Sequence, residues 1–503
     1  MKTLYRASLV HTLSHPAFGE WLLVDGRHVE RVGSGEPPAA DRTVDLPGTT
    51  IVPGFIDAHV HLTGTGIHEV GPPLGDARSA EGLLEMVGQA AAEAGDAFLA
   101  HGFDETKWDR PDLPDLASLD RASAKPAIVV RADGHISLAN SAALEASEAL
   151  GLPGVDRDEE GRPTGVVRRE ANDRVQEWFH RQLTDNEVQQ YQLQAAGLAA
   201  SRGITCVHEM AIPEVRGMRD VEVLLAQRTQ LPVDVFTYVA ATDIPLIMDL
   251  GLTAIGGDLS LDGSIGARTA LLSDPYVDGD GSGASYRDDD DLTEFLHNAH
   301  LAGLQVAMHA IGDGAIEQAV GGWERVYQSL DSRDRRHFRA RRHRIEHFEL
   351  PRDDHVERAA NLGMAISIQP AFDALWGHPG GMYERRLGGE RAGRMNPFRT
   401  LLQRGMEVGA GSDSPVTSLD PVAGIAALES HHDPDQHLSR DEAIRLFTWG
   451  SARLAHLDEK KGRLDPGMHA DFAAYDADPA LVERIEETRP VLTVSLGREV
   501  FAA

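Results

Sequence analysis

Two histidines two residues apart, His59 and His61, close the stretch Thr50–Leu62, TIVPGFIDAHVHL. The run Thr50–Ile56 is β-branched and apolar around Pro53-Gly54, and it reads as a buried strand. Residues two apart on a strand point to one face, which sets two imidazoles side by side at its C-terminal end. Neutral imidazole is the commonest metal ligand, and a pair on one rigid strand loses little entropy when it chelates. Alone, such a pair is more often two polar residues at a strand end. Further ligand-type residues recur along the chain, however: His309 in VAMHAIGDGA, His347 in RIEHF and Asp413 in GAGSDSP, each ending an apolar run. A lone strand-end histidine is more often structural, and a lone Asp before Ser-Pro more often caps a helix. Five such residues in equivalent positions point instead to one metal site.

The elements that must position them follow from the pattern of apolar runs. Eight are present: TIVPGFIDAHVH, GITCVHEM, VDVFTYVA, GDLSLDGS, LQVAMHAIGD, RRHRIEHF, GMAISIQP and MEVGAGSDSP. Helical connectors with 3.6-type spacing separate them, for example Leu292–Ala302 and Ala315–Ser329, and Ser439 with Glu442 makes a capping box opening a helix over Arg440–Leu454. Eight β/α units predict an α/β fold of the (β/α)₈ TIM-barrel type over residues 50–454, whose chemistry sits at the strand C-terminal ends. Residues 1–49 and 455–503 alternate short apolar runs with turns, which predicts one composite β-sandwich built from both termini. Residues 63–195 are too long for a connector. Helices (Ala80–Ala94, Ser137–Leu150), short strands (AFLAHGF, PAIVVRAD) and a hairpin near Gly154–Gly165 predict an α+β insertion over the barrel mouth.

Composition narrows the function classes. The chain has 503 residues and a formal charge of −31, which argues against nucleic acid and anionic membranes as partners. Cys206 is the single cysteine, so no internal disulfide forms and a reducing compartment is expected. The start, MKTLYRASLVHTLSH, lacks a signal-peptide core, and no apolar run approaches the ~18–20 residues of a membrane span. We therefore expect a cytoplasmic protein acting on a small molecule, as a homo-oligomer and first of all a dimer.

The motifs PGFIDAHVHL, DGSIGARTALLSDPY, HAIGDGA, RIEH, GSDSPV and GRLDPGMHADFAAYDADP resemble the amidohydrolase superfamily. More narrowly they resemble amidohydrolase family 3, the branch that includes N-substituted formamide deformylases. FDETKW, DGHISLANSAAL and TGVVRREA extend the likeness into the insertion. The resemblance implies a metal-bearing barrel with a composite sandwich that hydrolyses amide-type C–N bonds other than peptide bonds (EC 3.5). It assigns the strand-1 ligands to His59 and His61, the strand-5 and strand-6 ligands to His309 and His347, and the strand-8 aspartate to Asp413.

Many such relatives carry a lysine on strand 4 whose carbamate bridges two metals. The matching position here is Asp258, and no lysine lies between Lys125 and Lys460. An aspartate is several bonds shorter, so we expect it to fall short of the bridging point. Glu209, ending HEM, is the other carboxylate that could replace the lysine, or else a partner of a ligand histidine. These considerations favour one divalent metal per chain, zinc first, over two. With one metal, His59, His61, His309 and Asp413 bind it and His347 stabilises the oxyanion; with two, His309 and His347 take the second. Asp413 moves the proton between water and the leaving nitrogen. Trp108, His135, Asp262 and Arg268 are candidates for the substrate wall. Two alternatives stand beside this reading: an amino-heterocycle deaminase on the same barrel, with Glu317 as its added carboxylate, and a non-catalytic scaffold that lost its metal.

Overall fold

In a computed structural model describing residues 1–503, each of the eight apolar runs forms a parallel strand. In chain order they are Phe55–Val60, Ile204–Ala211, Asp234–Val239, Ala254–Ser260, Gln305–Ala310, Arg344–His347, Ala365–Ile368 and Glu407–Ala410. They lie in two parallel sheets: the first three ordered third-second-first, the last five in sequence. The eighth strand runs on into the first. Val60 bridges Ser414, Asp413 N donates to His59 O at 2.8 Å, and His61 N donates to Ser414 O at 2.9 Å. The third and fourth strands pack side by side. The largest apolar cluster, 62 buried residues, fills the space between these strands and their helices.

Local sequence explains the helices that back the strands. Asp288 caps Asp289–Leu301 by accepting from the Asp290 and Asp291 amides, and the Ser439–Glu442 box is present as expected. The helix it opens runs to Leu454 through a wider π turn at Leu446–Gly450.

The expected first strand is in fact two. Arg42–Pro53 belongs to the terminal sheet and Phe55–Val60 to the parallel series, divided at Gly54. A Cβ on Gly54 would lie 2.3 Å from the Thr205 side chain, so only glycine lets the chain pass between the two sheets. The boundary therefore falls at Gly54, not after residue 49. Both termini meet in one seven-stranded sheet, where Phe472–Tyr475 pairs antiparallel with Thr50–Pro53.

The insertion is an α+β unit around a five-stranded sheet in which Phe98–Phe103, Ala127–Arg131, Ile136–Ala139, Pro163–Arg168 and Val155–Arg157 lie side by side in that order. The helix expected over Ser137–Leu150 is a strand, Ile136–Ala139, followed by a short helix, Ser141–Ala146. Asn140 makes the change: its side-chain oxygen accepts from the Ala143 and Ala127 amides, capping the helix and ending the strand at once.

Gly54→Ala should cost about 1–3 kcal/mol by overpacking against Thr205. Adding Thr205→Ala should recover part of it. Urea unfolding of the two single variants and the double variant reads the coupling, and strictly additive effects would contradict this contact.

Candidate metal centre

Parallel strands end at a common rim, and there the side chains of five of them converge. His59 and His61 leave the first strand, Asp258 the fourth, His309 the fifth and His347 the sixth, while Asp413 follows the eighth. Each imidazole is held by the nitrogen that faces away from the centre. His59 Nδ1 donates to Glu346 Oε2 at 3.0 Å, and His61 Nδ1 to the Met210 carbonyl at 2.8 Å. His347 Nδ1 donates to Gln369 Oε1 at 2.8 Å, and His309 Nε2 to the Gly263 carbonyl at 3.3 Å. Because these partners are acceptors, they hold a proton on the outer nitrogen and turn the other nitrogen toward the centre, where it can bind a cation once it is deprotonated.

The inward atoms have the spacing of ligands. Two ligands each about 2.1 Å from a tetrahedral ion stand roughly 3.4 Å apart. Asp413 Oδ1 is 3.1 Å from His61 Nε2 and 3.5 Å from His59 Nε2. Asp258 lies 3.1 Å from His309 Nδ1, 3.5 Å from His61 Nε2 and 3.7 Å from His347 Nε2. His59 Nε2, His347 Nε2 and Asp413 Oδ1 are buried without any hydrogen-bond partner. Such orphans each cost about 1–3 kcal/mol, and they fall in two three-residue sets, His59–His61–Asp413 and His59–Asp258–His347, that could hold a divalent cation. The donor set, imidazole nitrogen with carboxylate oxygen, suits zinc and similar ions.

The backbone is strained where the ligands sit. Asp413, His347 and Phe348 adopt φ of 57°, 71° and 53°, a left-handed region that non-glycine residues rarely enter. Hydrogen bonds hold them there, including Phe348 N to Ala310 O at 3.1 Å. Electrostatics point the same way. Burial opposes protonation of His59 and His309, but the carboxylates around them outweigh it and push both up to about 9. Burial also opposes ionisation of Asp258 and Asp413, yet the histidines hold both carboxyls below the usual range. The centre is thus a concentration of negative charge seeking positive partners.

The sequence model of the amidohydrolase family matches residues 42–501. The chain belongs to that family. Putative amidohydrolase YtcJ of Bacillus subtilis is 26% identical over 538 residues, covering 96% of each chain. The N-substituted formamide deformylase of Arthrobacter pascens is 23% identical over 511 residues, covering 92% of this chain and 89% of that one. A solved structure of an uncharacterized metal-dependent hydrolase from Pyrococcus horikoshii OT3 superposes with a TM-score of 0.76 at 27% identity, covering 97% of this chain and 99% of that one.

In this amidohydrolase, Asp258 reaches the centre, contrary to the expectation that its side chain is too short. The strand itself moves inward, because three residues, Gly257–Leu259, lie between the paired positions Gly256 and Ser260 where the fifth strand has only Met308. Glu209 does not bridge. Its Oε2 accepts from the Leu62 amide at 2.7 Å, at the start of helix Leu62–Val70, and burial with Asp220 nearby pushes it up to about 7. Among the wall candidates, His135 lies at the centre, its ring 5.6 Å from that of His309. Trp108 does not: it is buried in the insertion's own core with Phe98 and Phe103, because the turn at Glu105–Lys107 folds it back. Asp262 is structural, accepting from the amides of Leu271, Ile311 and Gly312. Arg268 pairs with Asp278 away from the cavity. Glu317 is tied to Arg352, His355 and Arg358 on the outer helices, so it offers nothing to the centre.

Residues the sequence did not single out complete the site. A small cavity of about 30 Å³ beside the ligands is lined by Phe372, Trp376, Met382, Tyr383 and Glu349 among others. A polar mouth of about 700 Å³ opens from the ligands toward Arg169, Arg174 and Arg216. Glu349 accepts from the Tyr383 hydroxyl at 2.7 Å, and burial pushes its carboxyl up to about 7. The EHFEL spacing, a carboxylate two residues after His347, was the available signal for it. Trp376, whose Nε1 donates to Asp104 at 3.2 Å, takes the place expected of Trp108.

Arg344→Met should destabilise the fold by about 3–5 kcal/mol, since it removes the guanidinium that balances the buried Glu346 charge. Glu346→Gln keeps the shape but weakens the hold on His59, and should lower metal affinity about 10–100-fold in a competition titration with a chromophoric chelator. Trp108→Ala should cost about 3–5 kcal/mol in stability with KM unchanged. A change in KM without loss of stability would return Trp108 to the substrate wall.

Proposed function

We propose that the protein is a metal-dependent hydrolase cleaving a non-peptide C–N bond, of the formamide or small-acyl amide class, in a small molecule. We read its two parallel arcs as one (β/α)₈ barrel, with His59, His61, His309 and His347 as ligands beside Asp413. The single observation that carries this reading is the convergence of four imidazoles, each held by its outer nitrogen, on buried carboxylates, with His59 Nε2, His347 Nε2 and Asp413 Oδ1 left without partners. These residues would hold a divalent cation, zinc first, which when bound would lower the pKa of its water toward ~7 and polarise a carbonyl.

The chain's own residues divide the remaining work. Asp413 Oδ1, free of hydrogen bonds, accepts a proton from the attacking water and passes it to the leaving nitrogen. The two spaces beside the ligands differ in size and character, which supports a small acyl group and a larger polar amine. Phe372, whose ring stacks at 6.1 Å on that of His347, and Trp376 bound the acyl side and keep bulk water from it. His135, pushed down to about 4 by burial, stays neutral at the mouth. The deaminase reading has lost its carboxylate, since Glu317 is engaged elsewhere. A scaffold that had lost its metal would have no use for strained, unpartnered ligand atoms.

A panel of formamides, acetamides and benzamides of the same amines, with amino-purines as control, tests this. Turnover should fall steeply from formyl to benzoyl, and Phe372→Ala should lift the benzoyl rate at least tenfold relative to formyl. Asp413→Asn should abolish turnover while retaining the fold by circular dichroism. Ammonia release from amino-purines with no amide cleavage would overturn the assignment.

A further inference from the structure

The strand-4 position is where this chain departs from the lysine-bearing pattern, and the structure gives the departure a purpose. We propose that Asp258 is a permanent bridging ligand, so that the centre takes two cations without needing carbon dioxide to form a carbamate. This rests on the hydrolase reading above and adds the ligand, the count and the independence from carbon dioxide. Its removal of the premise for a single metal follows from geometry alone.

The two carboxylate oxygens of Asp258 face different histidines. Oδ2 is 3.5 Å from His61 Nε2, on the side where Asp413 Oδ1 also meets His59 and His61. Oδ1 is 3.1 Å from His309 Nδ1 and 3.7 Å from His347 Nε2. Oδ2 thus fronts one imidazole and Oδ1 two, at separations close to the roughly 3.4 Å between ligands sharing one ion. His59 Nε2, 3.9 Å from Oδ1, stands between the two groups, and three-residue ligand sets assemble on both sides of it. Two cations a few ångströms apart repel, and a shared anion is what offsets that repulsion.

A lysine reaches such a point from a regular strand through its long side chain. An aspartate needs its Cα brought inward, and the strand is built to do that. Gly256 and Gly257 adopt φ of 88° and 77° to form the bulge. A Cβ on Gly256 would meet the Ala307 carbonyl at 2.1 Å, and one on Gly257 would meet Tyr238 Cβ at 2.6 Å and Met210 Sδ at 2.8 Å. Only glycine fits at either place, so the bulge and the short carboxylate form one device. No lysine competes for the role. Lys461 is buried against Asp471 and Asp234, Lys125 donates to the Ala94 carbonyl, and Lys107 pairs with Asp104. Lys2 pairs with Glu30 in the terminal sheet, and Lys460 follows the last helix of the parallel series.

The test is reconstitution of the chelated full chain with Mn²⁺, in buffer stripped of carbon dioxide and in the same buffer with added bicarbonate. Metal per chain is measured after desalting, and electron paramagnetic resonance reports whether the ions are exchange-coupled. The wild type should hold about two equivalents in both buffers, with the signature of a coupled pair. Asp258→Asn preserves size and the bulge; it should hold about one equivalent, with an uncoupled signal and unfolding of the metal-free form unchanged. Asp258→Asn retaining the coupled pair would overturn the bridge, and so would wild-type uptake that depends on bicarbonate. Should Asp258→Asn not fold, the wild-type count and its response to bicarbonate still decide. A single equivalent in the wild type overturns the bridge alone, whereas no uptake at all overturns the hydrolase reading with it.

Discussion

A buried guanidinium at the middle of the parallel strands is the interaction on which the site depends. Arg344 is fully buried, and its charge is met by Glu346 through bonds of 2.8 Å from both Nε and Nη2. It also donates to the Ala58 carbonyl on the first strand, to His208 Nδ1 on the second and to the Tyr238 hydroxyl on the third. Tyr238 in turn donates to Gln305 on the fifth strand at 2.7 Å. Arg344 thus ties four strands directly, and Tyr238 extends the network to a fifth. Removing such a charge from water costs several kcal/mol, and only complete hydrogen bonding offsets that. The same Glu346 accepts from His59, so the geometry of the first ligand is set by the ion pair that organises the strands.

Above that network the structure trades regularity for reach. Left-handed backbone at His347, Phe348 and Asp413, and the glycine bulge before Asp258, all lie at the strand ends where ligands must point inward. Each departure is locally unfavourable, and each is held by a neighbouring strand. The insertion provides the remaining wall through a second buried ion cluster. Arg131 is bound by Asp104, Glu105 and Asp133, and Asp133 also accepts from Ser264 in the loop after the fourth strand. His135 is therefore carried on a rigid support, which suits a residue that borders a small, shaped cavity.

The sequence by itself determined the candidate ligands and the series of parallel strands that carries them. Apolar runs of β length, each ending in a ligand-type residue, placed His59, His61, His309, His347 and Asp413 at one rim, because strand period and strand polarity are local properties. The Ser439–Glu442 capping box was legible for the same reason. What only the tertiary structure decided depends on contacts between distant segments. Gly54 reads as a turn within one strand until Thr205 is seen against it; then it marks the passage between two sheets. Trp108 and Trp376 are both tryptophans among loops, and which one faces the cavity depends on how the insertion folds onto its own core. Asp258 is the clearest case. Side-chain length alone said that it falls short, and that argument assumes a regular strand. The paired glycines were visible in the sequence, but their left-handed φ becomes a ligand-delivering bulge only because Ala307, Tyr238 and Met210 close around them.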